Sequence, residues 1–205
     1  MKLPIRSLAL VALLAATLPA PAQEQIPTEE AQRVAHKLND ALGNPSDAPF
    51  ATEVDPDKPH AFKAGDAGIM AIPDRRLTSA ALEGAGKDIV PVGQLWALKL
   101  GVVVDGRAIS TAQVRVVKFG EGEKSRDVQL YYLGAAKNDA GELQLVLFAK
   151  DKTQPVLRVP LKKATSASQS SPLEIEGRKQ SEDTGVLTIH LLGEYAAEVT
   201  MMKAE

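Results

Sequence analysis

The chain has 205 residues, 44% of them hydrophobic and 24% charged, and contains no cysteine. This composition excludes a disordered chain, a collagen-like repeat and a disulfide scaffold, and the length suits one domain with at most a small appendage. Lys and Arg number 24 against 26 Asp and Glu, so no basic excess points to nucleic acid or to an anionic membrane surface.

Residues 1–22 have the order of a secretory signal peptide. Lys2 and Arg6 supply positive charge, Leu8 to Leu18 form an apolar run, and Ala20-Pro21-Ala22 offers the small residues of a cleavage site. Such a run, rising about 1.5 Å per residue, falls short of a hydrocarbon core about 30 Å thick, and no later run is long enough for a transmembrane segment. Export to the periplasm or beyond is expected, with a mature chain starting at Gln23. No cysteine follows the cleavage site to carry a bacterial lipid anchor. An exported chain without disulfides must rely on a large core.

Residues 23–43 form an N-terminal segment in which a helix is predicted over 28–42. Pro27 and Thr28 open it, with Thr28 as N-cap, and Glu29 and Glu30 suit the helix dipole in the first turn. Ala31, Val34, Ala35, Leu38 and Leu42 make one apolar stripe, and Gly43 and Pro45 stop it. His36 lies off the stripe and reads as a solvated side chain. Residues 44–66 carry Pro45, Pro49, Pro56, Pro59, Asp47, Asp55, Asp57 and Asp66 without a period, and read as a linker or long surface loop.

Residues 67–205 read as a β domain. Ile69–Ile72 is a short strand closed by Pro73, and Leu77–Leu82 fits one helical turn. Ile89–Val104 reads as a long strand or a bent pair, with Trp96, Leu98, Leu100, Val102 and Val104 on one face. Asp105-Gly106 signals a turn. Gln113–Phe119 has an ambiguous phase, since Val116 and Val117 are adjacent, and a bulge there is one way to keep it. Val128–Leu133 and Leu143–Phe148 are joined through Asn138-Asp139-Ala140-Gly141, a tight-turn composition. Pro155 and Pro160 place Val156–Leu161 on a sheet edge. Ser166–Ser171 is a polar loop, and Leu173–Glu176 is a short strand. Gly193-Glu194 suits a two-residue type II′ hairpin between Val186–Leu192 and Tyr195–Met202. About nine strands at short spacing, with no crossover helices, predict a mainly β antiparallel sandwich, or a barrel-like variant, with one short N-terminal helix.

Catalytic and metal signatures are weak. Asp183-Thr184-Gly185 matches the tripeptide of aspartic proteases, but Gln180-Ser181-Glu182 precedes it where an apolar strand is needed, so it reads as a polar turn. His36, His60 and His190 form no metal-binding pair, and Asp55, Asp57 and His60 lack the glycine and terminal glutamate of a calcium loop. His190 shares a strand face with Thr188, opposite Leu187, Ile189 and Leu191, and is expected to meet solvent. There is no G-x-S-x-G elbow and no S-x-x-K pair, and Thr200 and Lys203 fall on opposite strand faces. Trp96 sits in an apolar alternation suited to a core rather than a sugar platform. No catalytic residue, metal or cofactor is assigned.

Several middle strands are apolar on both faces. Tyr131, Leu133, Val146 and Phe148 are expected together on the outer face, which needs a cover: the 28–42 helix, the long loop, a protein partner, or a second copy of the chain. The functional expectation is an exported, non-enzymatic binding or interaction module of the bacterial envelope. The alternative is a secreted hydrolase whose site is assembled from dispersed residues.

Overall fold

The computed structural model describes residues 24–43, 48–164 and 169–204. The signal segment 1–22, Pro45 and Asp47 of the loop, and Ser166 and Ser168 lie outside the described residues. In chain order the elements are β1 (Glu24–Gln25), α1 (Thr28–Leu42), β2 (His60–Ala64), β3 (Ala67–Pro73), α2 (Ser79–Glu83), β4 (Val90–Leu98), β5 (Leu100–Val104), β6 (Arg107–Ala108) and β7 (Arg115–Phe119). They continue with β8 (Arg126–Lys137), β9 (Leu143–Phe148), β10 (Leu157–Pro160), β11 (Lys162–Lys163), β12 (Leu173–Lys179), β13 (Thr184–Leu191) and β14 (Tyr195–Lys203).

The strands form two antiparallel sheets. The first runs β1-β2-β3-β4-β8-β9-β10, with β7 also paired to β8; the second runs β12-β13-β14-β5-β6, with β11 on β14. The sheets pack face to face as a β-sandwich, with Leu95, Tyr131, Leu133, Leu147, Leu187, Ile189 and Val199 among the buried residues between them. No helix among the described residues is long and apolar enough to cross a membrane.

The chain changes sheet between β4 and β5. Lys99 takes the left-handed backbone (φ 56°), so of the two readings of Ile89–Val104 the bent pair holds, but its halves lie in different layers and do not share one face. Trp96 packs on the outer side of the first sheet, and Val102 packs between the sheets. Within β4 the register shifts between Pro91 and Gly93, so Val92 and Leu95, of opposite parity, both reach the inter-sheet core. Gly93 (φ 153°) allows this, because a Cβ there would lie 2.2 Å from the Ile72 carbonyl oxygen.

Turn chemistry and edge signals operate as the residues dictate. Asn138 N–H donates to the Glu142 carbonyl at 3.0 Å and Gly141 N–H to the Asn138 carbonyl at 3.0 Å, closing the β8–β9 hairpin. β10, with Pro160, lies on the edge of its sheet. Two local expectations change. Leu192 (φ 57°) and Gly193 (φ 70°) are both left-handed, and Glu194 N–H donates to the Leu191 carbonyl at 3.0 Å, which makes a type I′ rather than a type II′ turn. β7 pairs with β8 without a register shift, so no bulge is needed; Val117 and Phe119 face the helix side, while Val116 is exposed.

The hairpin also fixes which residues share a face. Lys137 pairs with Leu143, and from there Leu133 lies opposite Leu147, Gly134 opposite Val146 and Tyr132 opposite Phe148. The expected grouping is therefore corrected. Tyr131 and Leu133 point to the second sheet, whereas Val146 and Phe148 lie on the outer face with Leu130 and Tyr132. A shift of one residue exchanges faces, and strands apolar on both sides leave no alternation to set the phase.

The outer face is covered by the protein itself. α1 lays Ala31, Ala35 and Leu38 on it, and residues 48–57 continue the cover. Phe50 meets Tyr132 and Phe148 edge to face, with ring centroids 6.2 and 5.7 Å away. Asp74 staples this loop to the end of β3. Its buried carboxylate accepts the Glu53 N–H at 2.7 Å, the Arg76 N–H at 3.0 Å, and Arg76 Nε and Nη2 at 2.9 and 3.0 Å. Arg76 Nη2 also donates to the Ala51 carbonyl at 2.6 Å. Burial would raise the Asp74 carboxyl, but the guanidinium and the two backbone N–H groups outweigh it and hold the group below the ordinary carboxylate range. β2, at His60–Ala64, is likewise a sheet strand inside the segment read as linker.

Candidate functional site

At one end of the sandwich the inner row of side chains runs out. In the second sheet Gly177 lies opposite Leu187, and Gly185 opposite Met201. Directly opposed residues share a face, so both glycines stand in the row of core residues and contribute no side chain. In the first sheet Ala64 pairs with Ala67, just beyond the core pair Phe62 and Ile69. Small residues thus face small residues across the sandwich. They leave an open cleft of about 200 Å³, lined also by Phe62, Ile69, Leu100, Leu187 and Met201. A cavity of about 150 Å³ is enough for a benzene ring.

The mouth of the cleft is ionic. Lys179 continues the inner row of β12 and Lys203 that of β14, and Glu182 and Asp183 complete the rim; Arg178 also borders the cleft, but it pairs with Val186 on the other face of β12. Lys203 Nζ lies 3.1 Å from Asp183 Oδ1. Among the described residues, neither Arg178 nor Lys179 has a carboxylate within ion-pair distance.

The Asp183-Thr184-Gly185 tripeptide therefore sits on the rim. Asp183 lies in the β12–β13 turn and Thr184 and Gly185 open β13; the Ser181 and Thr184 hydroxyls lie 2.7 Å apart and Thr184 N–H donates to Ser181 Oγ at 3.1 Å. Asp183 is 65% exposed and engaged by Lys203. Among the described residues, no second aspartate lines the cleft.

The histidines fall elsewhere. His36 on α1 meets Asp57 at 2.8 Å on the surface. Asp55 lies 3.7 Å from Arg75 and 3.8 Å from Lys58, so Asp55, Asp57 and His60 do not converge. His60, on β2, bridges the two sheets: its Nδ1 accepts the Ile175 N–H at 3.4 Å, and Gln25 Nε2 lies 3.2 Å from its Nε2. Burial lowers the His60 imidazole, Glu174 works against that, and His190 adds to it. His190 is mostly shielded, at 22% exposure, with Glu176 3.8 Å away. No three metal-ligating side chains among the described residues are grouped to hold an ion.

Of the four residues read as a binding face, Tyr131, Leu133, Val146 and Phe148, none lines the cleft and all are buried. The cleft is marked in sequence by Gly177 and Gly185. They interrupt the inner apolar rows Leu173-Ile175 and Leu187-Ile189, a signal readable only once the strands are in register.

No protein-family model, no curated protein and no solved structure matches this chain.

Proposed function

We propose that the protein is an exported, non-enzymatic binding module, and that its ligand site is the cleft between the open ends of the two sheets. The observation that carries this reading is the run of glycine and alanine on the facing inner rows, Gly177 and Gly185 against Ala64 and Ala67, which opens the cleft. Apolar walls with a few charged groups at the mouth are the usual make-up of a small-molecule site. The outer sheet face, already under α1 and the 48–57 loop, is a poorer candidate for a partner.

The reading is tested with the neutral dye N-phenylnaphthylamine, which brightens in apolar surroundings. The dye should brighten with the wild-type protein. Ala64→Leu, which fills the cleft from its wall, should abolish the response and leave the far-ultraviolet circular dichroism unchanged. Equal binding by the filled variant would refute the cleft as the site.

Export is supported by the charge, apolar run and small residues of 1–22. Cleavage after Ala22 would also leave every described strand intact, because β1 begins at Glu24. Mass spectrometry of protein from its native host should find an N-terminus near Gln23. An intact Met1 would contradict export by this route.

A further inference from the structure

Resting on that reading, we infer that the ligand is a small amphipathic carboxylate, with its tail in the cleft and its carboxylate between Lys179 and Lys203 at the mouth. Lys179 follows Gly177 on the inner row of β12 and lies opposite Gly185 of β13, and Lys203 follows Met201, the other neighbour of Gly185, on the inner row of β14. A tail lying on the glycines therefore ends beside both ammonium groups. Of the charged residues at the mouth, Lys179 and Lys203 stand on the inner rows, and Glu182 and Asp183 come from the turn beside them.

The pairing pattern strengthens the case. Asp183 is turned to Lys203, and Lys179 has no carboxylate partner among the described residues. A ligand carboxylate placed at Lys179 would supply one. The volume of about 200 Å³ suits a ring or a short acyl chain rather than a drug-sized molecule, whose pockets run from about 300 Å³ upward. A purely apolar ligand would use the walls and leave the cations idle. An amine placed there would meet two like charges, Lys179 and Lys203.

The test is displacement of bound N-phenylnaphthylamine from the full mature chain by octanoate, octanol and octylamine at low salt. A cleft that reads only the tail favours octanol, because a carboxylate resists leaving water. The inferred site reverses that order. Octanoate should displace the dye at the lowest concentration, with octylamine the weakest of the three. Lys179→Gln should weaken octanoate by up to about five-fold, the scale of an exposed ion pair, and leave octanol unchanged. Added salt should act like the substitution.

If octanol matches or exceeds octanoate on the wild-type protein, the carboxylate assignment is wrong while the cleft remains the site. Preference for octylamine would assign the mouth to Glu182 and Asp183, and would equally overturn the inference. If the dye binds but Ala64→Leu does not affect it, the cleft itself is wrong, and this inference falls with it. The wild-type comparison of the three ligands needs no variant to fold.

Discussion

Tyr131 of the first sheet and Val102 of the second are joined through the middle of the sandwich. The Tyr131 hydroxyl accepts the Val102 N–H at 3.2 Å and donates to Gln129 Oε1 at 2.7 Å. It satisfies a backbone donor just after the point where the chain changes sheet. Tyr131→Phe keeps the ring but strands that donor and the Gln129 oxygen, which should cost about 1–3 kcal/mol in denaturant unfolding. Burial raises the phenol from 10.0 to about 12, against a lowering by the Val102 N–H. A raised folded pKa means the fold favours the neutral phenol. That contribution is complete below pH 10.0 and is lost as the pH rises towards about 12. Phenolate absorbance lost in the Tyr131→Phe variant should be a component that titrates well above pH 10.0.

The Asp74 staple predicts a local failure. Asp74→Ala leaves the Glu53 and Arg76 N–H groups unpaired and frees the Arg76 guanidinium. A loss of about 2–4 kcal/mol is expected. Hydrogen exchange should speed up first in residues 50–55, with Phe50 released from Tyr132 and Phe148. Uniform exchange across the sandwich would argue against a staple for the cover loop.

α1 is expected to be integral to the body rather than an appendage. Leu38 is 3% exposed and packs in the cluster that contains Trp96 and Tyr132. Leu38→Ala should cost about 2–4 kcal/mol, as buried leucines do. Tryptophan fluorescence from Trp96, the single tryptophan, reports the change directly. A helix that contributes little would leave both stability and emission unchanged.

His60 makes the sandwich acid-sensitive. Its pKa is lowered from 6.5 by burial, so the unfolded chain binds the proton more readily than the folded one. The stabilisation is complete above pH 6.5 and is lost as the pH falls through the lowered value. Protonation would also place a hydrogen on Nδ1, where the Ile175 N–H now donates. Stability measured across this window should decline for the wild type and decline less for His60→Gln. Parallel curves would remove His60 from the account.

Local chemistry made several parts of the fold legible in sequence. Pro160 marks an edge strand because proline cannot donate to a ladder, and Gly141 marks a hairpin because its φ of 80° suits glycine. The helix over 28–42 showed in its stripe of Ala31, Ala35 and Leu38. The face of Tyr131 did not show. Both faces of β8 are apolar, so parity carried no information until the five-residue loop to Leu143 fixed the register. β2 was hidden because five residues, His60–Ala64, lie among prolines and aspartates and take their order from pairing with β3. The cleft was hidden for a related reason: Gly177 and Gly185 become neighbours of Ala64 and Ala67 only when two sheets are stacked.

The most direct test of the cleft is a titration of ¹⁵N-labelled mature protein with N-phenylnaphthylamine, followed by amide chemical shifts. The account predicts that the largest shifts cluster at Phe62, Ala64, Gly177, Gly185, Leu187 and Met201, with α1 and β7 silent. Shifts centred on α1 and β7, or spread without a cluster, would contradict it.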